Sequence, residues 1–265
     1  MIAAVPGKLR DALSSGDTIM FVSPHLDDAV LSCGAFLEAV ASACPVVVVT
    51  VFTAAAEPPH TYAARGFLEG CGAGDARTLF ETRRQEDLDV LAQLRVRAVH
   101  LDFPDALFRR RRLRGGLPAR AGRLLPELAH RYPTYRYDIA RGRLARGDRP
   151  MVAEVGAAVA AVAGATGARL VFCPVGVGRH VDHLIARQAG AQFGERAVYF
   201  SDFPYDQSSS VDQRFLSRNG LLPWRWEEGI GAKARLIEGY GSQVGGLFPG
   251  GIIPRSPETY YVADR

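Results

Sequence analysis

Residues 17–28 read DTIMFVSPHLDD. The run from Asp17 to Ser23 is short and apolar and stops at Pro24, the pattern of a buried strand. His25, Asp27 and Asp28 then crowd into four residues. From Asp28 to Ala43 the apolar residues Val30, Leu31, Phe36, Leu37 and Val40 fall at helical spacing. Val46–Phe52 (VVVVTVF) is a continuous, mostly β-branched run, as in a central parallel strand covered on both faces. Strand, helix, strand in that order is a βαβ unit. It predicts an α/β fold with a mostly parallel sheet and helices on both faces.

The same alternation extends along the chain. Ala76–Leu94, Val152–Ala165, His180–Phe193 and Glu228–Tyr240 read as helices. Ala98–Phe103, Arg169–Cys173 and Ala197–Ser201 read as strands, and Tyr260–Val262 as an edge strand. Thr53–Ala73, with Pro58, Pro59 and several glycines, reads as a loop, as does Ser208–Ser210. At 265 residues the chain is long enough for one such domain with a full core.

Composition narrows the class. Hydrophobic residues make up 48% and charged residues 23%, the balance of a soluble globular protein. No apolar run reaches the roughly 18–20 residues of a membrane span. Lys8, Arg10 and Asp11 precede any long apolar stretch, so a cytoplasmic location is expected. The four cysteines, Cys33, Cys44, Cys71 and Cys173, form no CxxC pair and suggest neither a disulfide framework nor a thiolate zinc site. Cys173 reads as a core residue.

Charge is unevenly spread. Residues 107–149 hold thirteen arginines against Glu127, Asp138 and Asp148, a local charge of +10 in a chain of +4, so the rest carries −6. This segment is expected to be an insertion in a single domain, with a solvated surface as its simplest reading. Nucleic acid is an unfavoured partner, because only Tyr132, Tyr135 and Tyr137 interleave with the arginines as stacking residues.

Two constellations carry chemistry. Ser23–Asp28 (SPHLDD) follows the first strand, and Gly178–His183 (GRHVDH) follows the Arg169–Cys173 strand. In open parallel sheets, ligands gather beyond the carboxyl ends of the strands, so the two loops converge on the expected edge. His25, Asp28 and His183 form a His₂Asp set with an open fourth position, as in catalytic rather than structural zinc sites. The same donors accept Fe²⁺ or Co²⁺. Asp27, between two ligands, is free to act as a base. An aspartate at a helix start is also a common cap, but two His–Asp clusters at one sheet edge favour a metal. No GxxxxGK[ST] loop, dinucleotide fingerprint or GxSxG elbow is present.

With these motifs the sequence resembles the PIG-L/LmbE-like deacetylase family. The matching pieces are PHLDD (residues 24–28), HVDH (180–183), Arg83-x-x-Glu86, Phe103-Pro104-Asp105 and Tyr240-Gly-Ser242-Gln243. They span about residues 18–105 and 168–245. Residues 107–149 have no counterpart. Leu26 and Val181 stand where the family commonly has proline, and Ala29 where many members have an acidic residue. The resemblance implies a Rossmann-like fold and a zinc-dependent N-deacetylase of an N-acetylated amino sugar or glycoside, with His25, Asp28 and His183 as metal ligands. It implies Asp27 as general base, His180 as oxyanion stabiliser in its imidazolium form, and Asp182 as a carboxylate orienting a histidine. Arg83, Asp105 and Gln243 are the expected substrate contacts, with Tyr240 also near the pocket. His60 is expected to be an exposed loop residue. An amidase for a larger acyl group and a non-catalytic sugar- or nucleotide-binding protein are the competing readings, and a homo-oligomer is left open.

Overall fold

The computed structural model describes residues 6–111 and 117–263, without the side chains of 117–120 and Arg136. In chain order the elements are α1 (Gly7–Ser15), β1 (Ile19–Ser23), α2 (Asp28–Ala41), β2 (Val46–Ala54), α3 (Tyr62–Gly70), α4 (Ala76–Gln93), β3 (Arg97–Pro104), α5 (Leu117–Leu124), α6 (Pro126–Ala129), α7 (Arg149–Thr166), β4 (Leu170–Pro174), α8 (Val181–Ala191), β5 (Ala197–Phe200), α9 (Gln213–Arg218), β6 (Leu221–Trp226), α10 (Ile230–Glu238), α11 (Gly241–Leu247) and β7 (Glu258–Ala263). The strands form one seven-stranded sheet in the order β3-β2-β1-β4-β5-β7-β6. The first five are parallel, and β7 pairs antiparallel with both β5 and β6.

The expected fold is therefore the observed one, and the alternation of side chains along each strand explains it. Ile19, Phe21, Val46, Val48 and Phe172 face a core shared with α1, α2, α4 and α10. Their neighbours Met20, Val22, Val47, Val49 and Val171 face a second core under α7, α8 and α9. Every residue of β1 is buried, which is why the opening run had to be apolar throughout.

Three expectations need correction. Residues 53–73 are not all loop: α3 lies within them, started by Thr61, whose side chain accepts a hydrogen bond from the Ala64 amide. The 221–226 strand was not read, and because β6 takes the edge, β7 is an inner strand. The arginine-rich segment is not simply a solvated surface. Ala106, Leu107, Phe108, Tyr132 and Ile139 join Leu26, Ala64, Leu68 and Phe80 in a third core beyond the strand ends. Arg112 and Arg114, in the middle of the basic run, lie outside the described residues. No helix among the described residues is long and apolar enough to cross a membrane.

Candidate active site

The loops after β1 and β4 meet at the carboxyl edge of the sheet. Asp27 occupies the cap position of α2, yet its side chain makes no capping bond and instead lines a cavity of about 460 Å³. Asp28 is the first residue of the helix. Its Oδ2 accepts from the His25 backbone amide at 2.9 Å and lies 3.0 Å from His25 Nδ1. On the other loop the chain turns through Gly176 (φ +79°) and Gly178 (φ +77°) before α8 begins. A side chain at Gly178 would meet the Tyr205 ring at 3.0 Å, so only glycine brings this loop so close. The loop delivers His180 to the cap position of α8 and His183 to its first turn.

His183 is nearly fully buried, and its two ring nitrogens differ. Nδ1 lies 2.6 Å from Asp202 Oδ1. Nε2 is buried with no hydrogen-bond partner, although it stands 3.3 Å from Asp28 Oδ2. That separation suits two ligands of one ion. Atoms each about 2.1 Å from a tetrahedral zinc stand about 3.4 Å apart. His25, Asp28 and His183 offer ligand atoms that all lie within 4.8 Å of one another, so the donor set fits a divalent cation. A second grouping of His25, His180 and Asp182 also falls within that distance. It is the poorer candidate, because both oxygens of Asp182 are engaged. Oδ1 accepts from Arg109 at 2.5 Å, while Oδ2 accepts from the Ala106 amide at 2.8 Å and faces His25 Nε2 at 3.3 Å.

The electrostatics follow from carboxylates packed out of water. Burial opposes charge on His25, but the bonds to Asp182 and Asp28 outweigh it and push its pKa up to about 10. The same field favours a metal ion, which competes with the proton for the ring lone pair. Burial, and then the neighbouring Asp28 carboxylate, push Asp27 up to about 7, against the pull of Arg83, His25 and His183. His180 departs from expectation. Burial, reinforced by His25, drives its pKa well below the usual histidine range. Its Nδ1 accepts the Asp182 amide at 3.3 Å, which places a ring proton on Nε2 and disfavours the imidazolium that the resemblance implies.

The cavity collects most of the other predicted residues. Arg83, Asp105 and Gln243 line it together with Tyr135, Tyr205 and the α3 residues Ala63, Gly66 and Phe67. Arg83 is 9% exposed, not an exposed helix arginine, and its guanidinium lies 5.3 Å from the Phe67 ring centroid. Gln243 Nε2 donates to the Leu26 carbonyl at 2.8 Å, and its Oε1 is buried without a partner. Glu86 serves from behind: Ser242 donates to it through both backbone and hydroxyl, fixing α11 and hence Gln243. Tyr240 is not in the cavity; it is buried and donates to Asp87 at 2.9 Å. His60 is buried rather than exposed. A larger cavity, about 680 Å³, lies across α3, lined by Glu57, His60, Arg65, Arg77 and Arg84, and neither metal-capable grouping of the described residues lies in it.

Sequence reasoning missed two residues. Asp202 stands just past β5, the strand beside β4, and a reading of every strand end would have reached it. Arg109, 1% exposed, was hidden in a run of arginines that looked interchangeable.

A profile for the family described as PIG-L: GlcNAc-PI de-N-acetylase matches residues 20–193. The chain belongs to this family. It is 33% identical over 251 residues to a 2'-N-acetylparomamine deacetylase of Streptomyces fradiae, covering 89% of this chain and 76% of that relative. Among solved structures it superposes on a deacetylase–bog complex from teicoplanin biosynthesis with a TM-score of 0.72 at 26% identity, covering 92% and 96% of the two chains. A zinc-inhibited form of teicoplanin deacetylase Orf2 matches with a TM-score of 0.66 at 25% identity, covering 92% and 97%. Family and fold thus agree with the motif reading of a metal-dependent N-deacetylase.

Proposed function

We propose that this chain removes the acetyl group from the amide nitrogen of an N-acetylated amino sugar or glycoside, with zinc held by His25, Asp28 and His183. The observation that carries this reading is the partnerless Nε2 of buried His183, 3.3 Å from Asp28 Oδ2 while Asp202 fixes the opposite face of the ring. The acetylparomamine and teicoplanin deacetylases among its relatives support the substrate class.

A bound zinc ion supplies Lewis acidity to the acetyl carbonyl and to the attacking water. The remaining work belongs to side chains. Asp27, free of capping duty, takes the proton from water and returns it to the leaving amine. His180 stabilises the oxyanion with a hydrogen bond from its Nε2–H. Arg83, Asp105 and the unpaired Oε1 of Gln243 recognise sugar hydroxyl and amide groups. Apolar walls from Leu31, Phe67, Leu107 and Leu247 take the attached aglycone. The reaction is set in the cytoplasm.

The test is acetate release by the zinc-loaded protein from N-acetylglucosamine, its glycosides, an N-acetylated aminoglycoside and a glycopeptide conjugate. Acetate from any of them supports the reading, and the ranking identifies the aglycone. Release of longer acids, with acetate absent, favours the amidase alternative; silence across all substrates by protein holding stoichiometric zinc favours a binding role.

A further inference from the structure

The arginine-rich segment contains one arginine that behaves unlike a surface cation. The Arg109 guanidinium is fully enclosed, and all of its nitrogens are committed. Nη1 donates to Asp148 at 2.7 Å, Nη2 to Asp182 at 2.5 Å and to the Pro104 carbonyl at 2.9 Å, and Nε to the same carbonyl at 3.1 Å. Its Cζ lies over two aromatic rings, 4.9 Å from the Phe52 centroid and 5.7 Å from that of Tyr132. One side chain therefore ties the end of β3, the start of α7 and the start of α8. A planar five-donor group is the only side chain that makes these bonds together.

Asp182, Arg109's partner, faces His25. With Oδ1 held by Arg109, Asp182 Oδ2 is aimed at the Ala106 amide and His25 Nε2. A carboxylate on Nε2 keeps the proton there and leaves Nδ1, the nitrogen beside Asp28, free to bind a cation. Asp148 steadies the far end. It is wholly buried and also meets the Tyr132 hydroxyl at 2.6 Å and Arg131 at 2.8 Å.

We infer that Arg109 is a positioning residue for the metal centre, acting through Asp182 on His25, so that the arginine-rich segment is a working part of the site. This rests on the proposed ligand set. It makes a prediction about metal binding that a purely architectural arginine would not share.

The experiment compares Zn²⁺ affinity, by chelator competition, and the Co²⁺ absorption spectrum of wild type, Arg109→Met, Arg109→Lys and Asp148→Asn, with circular dichroism reporting the folded fraction. Loss of groups that orient a ligand typically weakens metal affinity about 10- to 100-fold. Arg109→Met is expected within that range, with an altered cobalt spectrum. Arg109→Lys should recover part of the loss, since one ammonium reaches one carboxylate but cannot span both. Asp148→Asn should fall between Arg109→Lys and wild type. Variants that lose thermal stability yet keep wild-type affinity and spectrum would overturn the inference and leave Arg109 a strut. Should Arg109→Met not fold, the Lys and Asn variants decide by the same two readouts. A wild type that takes up no cobalt would sink the ligand set itself, and this inference with it.

Discussion

His183 is backed by Asp202, and His25 by Asp182 at 3.3 Å with Asp105 at 3.5 Å from the same nitrogen; Asp202 and Asp182 are held in opposite ways. Asp202, behind His183, is anchored by backbone. Its Oδ2 accepts from the Gly176 and Val177 amides at 2.7 Å each, both in the loop of the neighbouring strand. Asp182, behind His25, is anchored by the Arg109 side chain, which depends in turn on Asp148 nearly forty residues further on. One half of the site is thus assembled by adjacent strand ends, which the sheet fixes anyway. The other half requires Arg109 and Asp148, from the arginine-rich segment, to arrive in register. The first half is fixed by the sheet edge, and the second by buried side chains of residues 107–149.

The comparison breaks most sharply at Asp202. In Asp202→Asn the remaining oxygen is claimed by the Gly176 and Val177 amides, so the new amide group faces His183 Nδ1 and donates to it. The ring proton then moves to Nε2, the nitrogen needed for the metal. We expect Zn²⁺ affinity to fall about 10- to 100-fold with little loss of stability, measured by chelator competition beside a thermal melt. Unchanged affinity would mean that Asp202 does not set the tautomer.

A smaller effect sharpens the other half. Tyr132 donates to Asp148 and its oxygen receives the Ala145 amide at 3.0 Å. Tyr132→Phe leaves that amide without its partner and removes one donor from Asp148. The expected cost is about 1–3 kcal/mol of stability, read by denaturant unfolding. Metal affinity should drop less than in Asp148→Asn, because Arg109 and Asp182 keep each other. A loss of affinity larger than that of Asp148→Asn would place the hydroxyl, not the ion pair, at the centre of the network.

What was legible in the sequence divides along the same line. The Ile19–Ser23 and Val46–Ala54 strands were readable because central parallel strands are apolar throughout, a signal strong enough to survive without context. His25, Asp28 and His183 stood out as a candidate set because two His–Asp clusters follow parallel strands, and the structure brings their ligand atoms within 4.8 Å of one another. Arg109 was not, since its importance lies in long-range partners and the thirteen arginines of residues 107–149 look alike in one dimension. Asp202 carried a positional signal only, at the end of a four-residue strand. The Leu221–Trp226 strand was missed because its exposed residues and Pro223 break the apolar pattern, as they do at sheet edges.

The remaining error, the loop assignment over residues 53–73, leads to the smallest predicted effect. Two prolines and three glycines argue against regular structure there, yet nine residues are helical because tertiary contacts override propensity. Ala64 and Leu68 pack into the third core while Phe67 turns to the cavity. A helix this short has little stability of its own, so its cap carries a large share. Thr61→Ala removes that cap and should cost about 1 kcal/mol, typical for the loss of an N-cap hydroxyl. Faster amide hydrogen exchange in α3, with Zn²⁺ affinity intact, is the expected signature. α3 touches neither carboxylate network, so it belongs to the substrate wall rather than to the metal centre. A change in metal affinity on Thr61→Ala would show that wall and centre are coupled, and that the site does not divide between the two carboxylates alone.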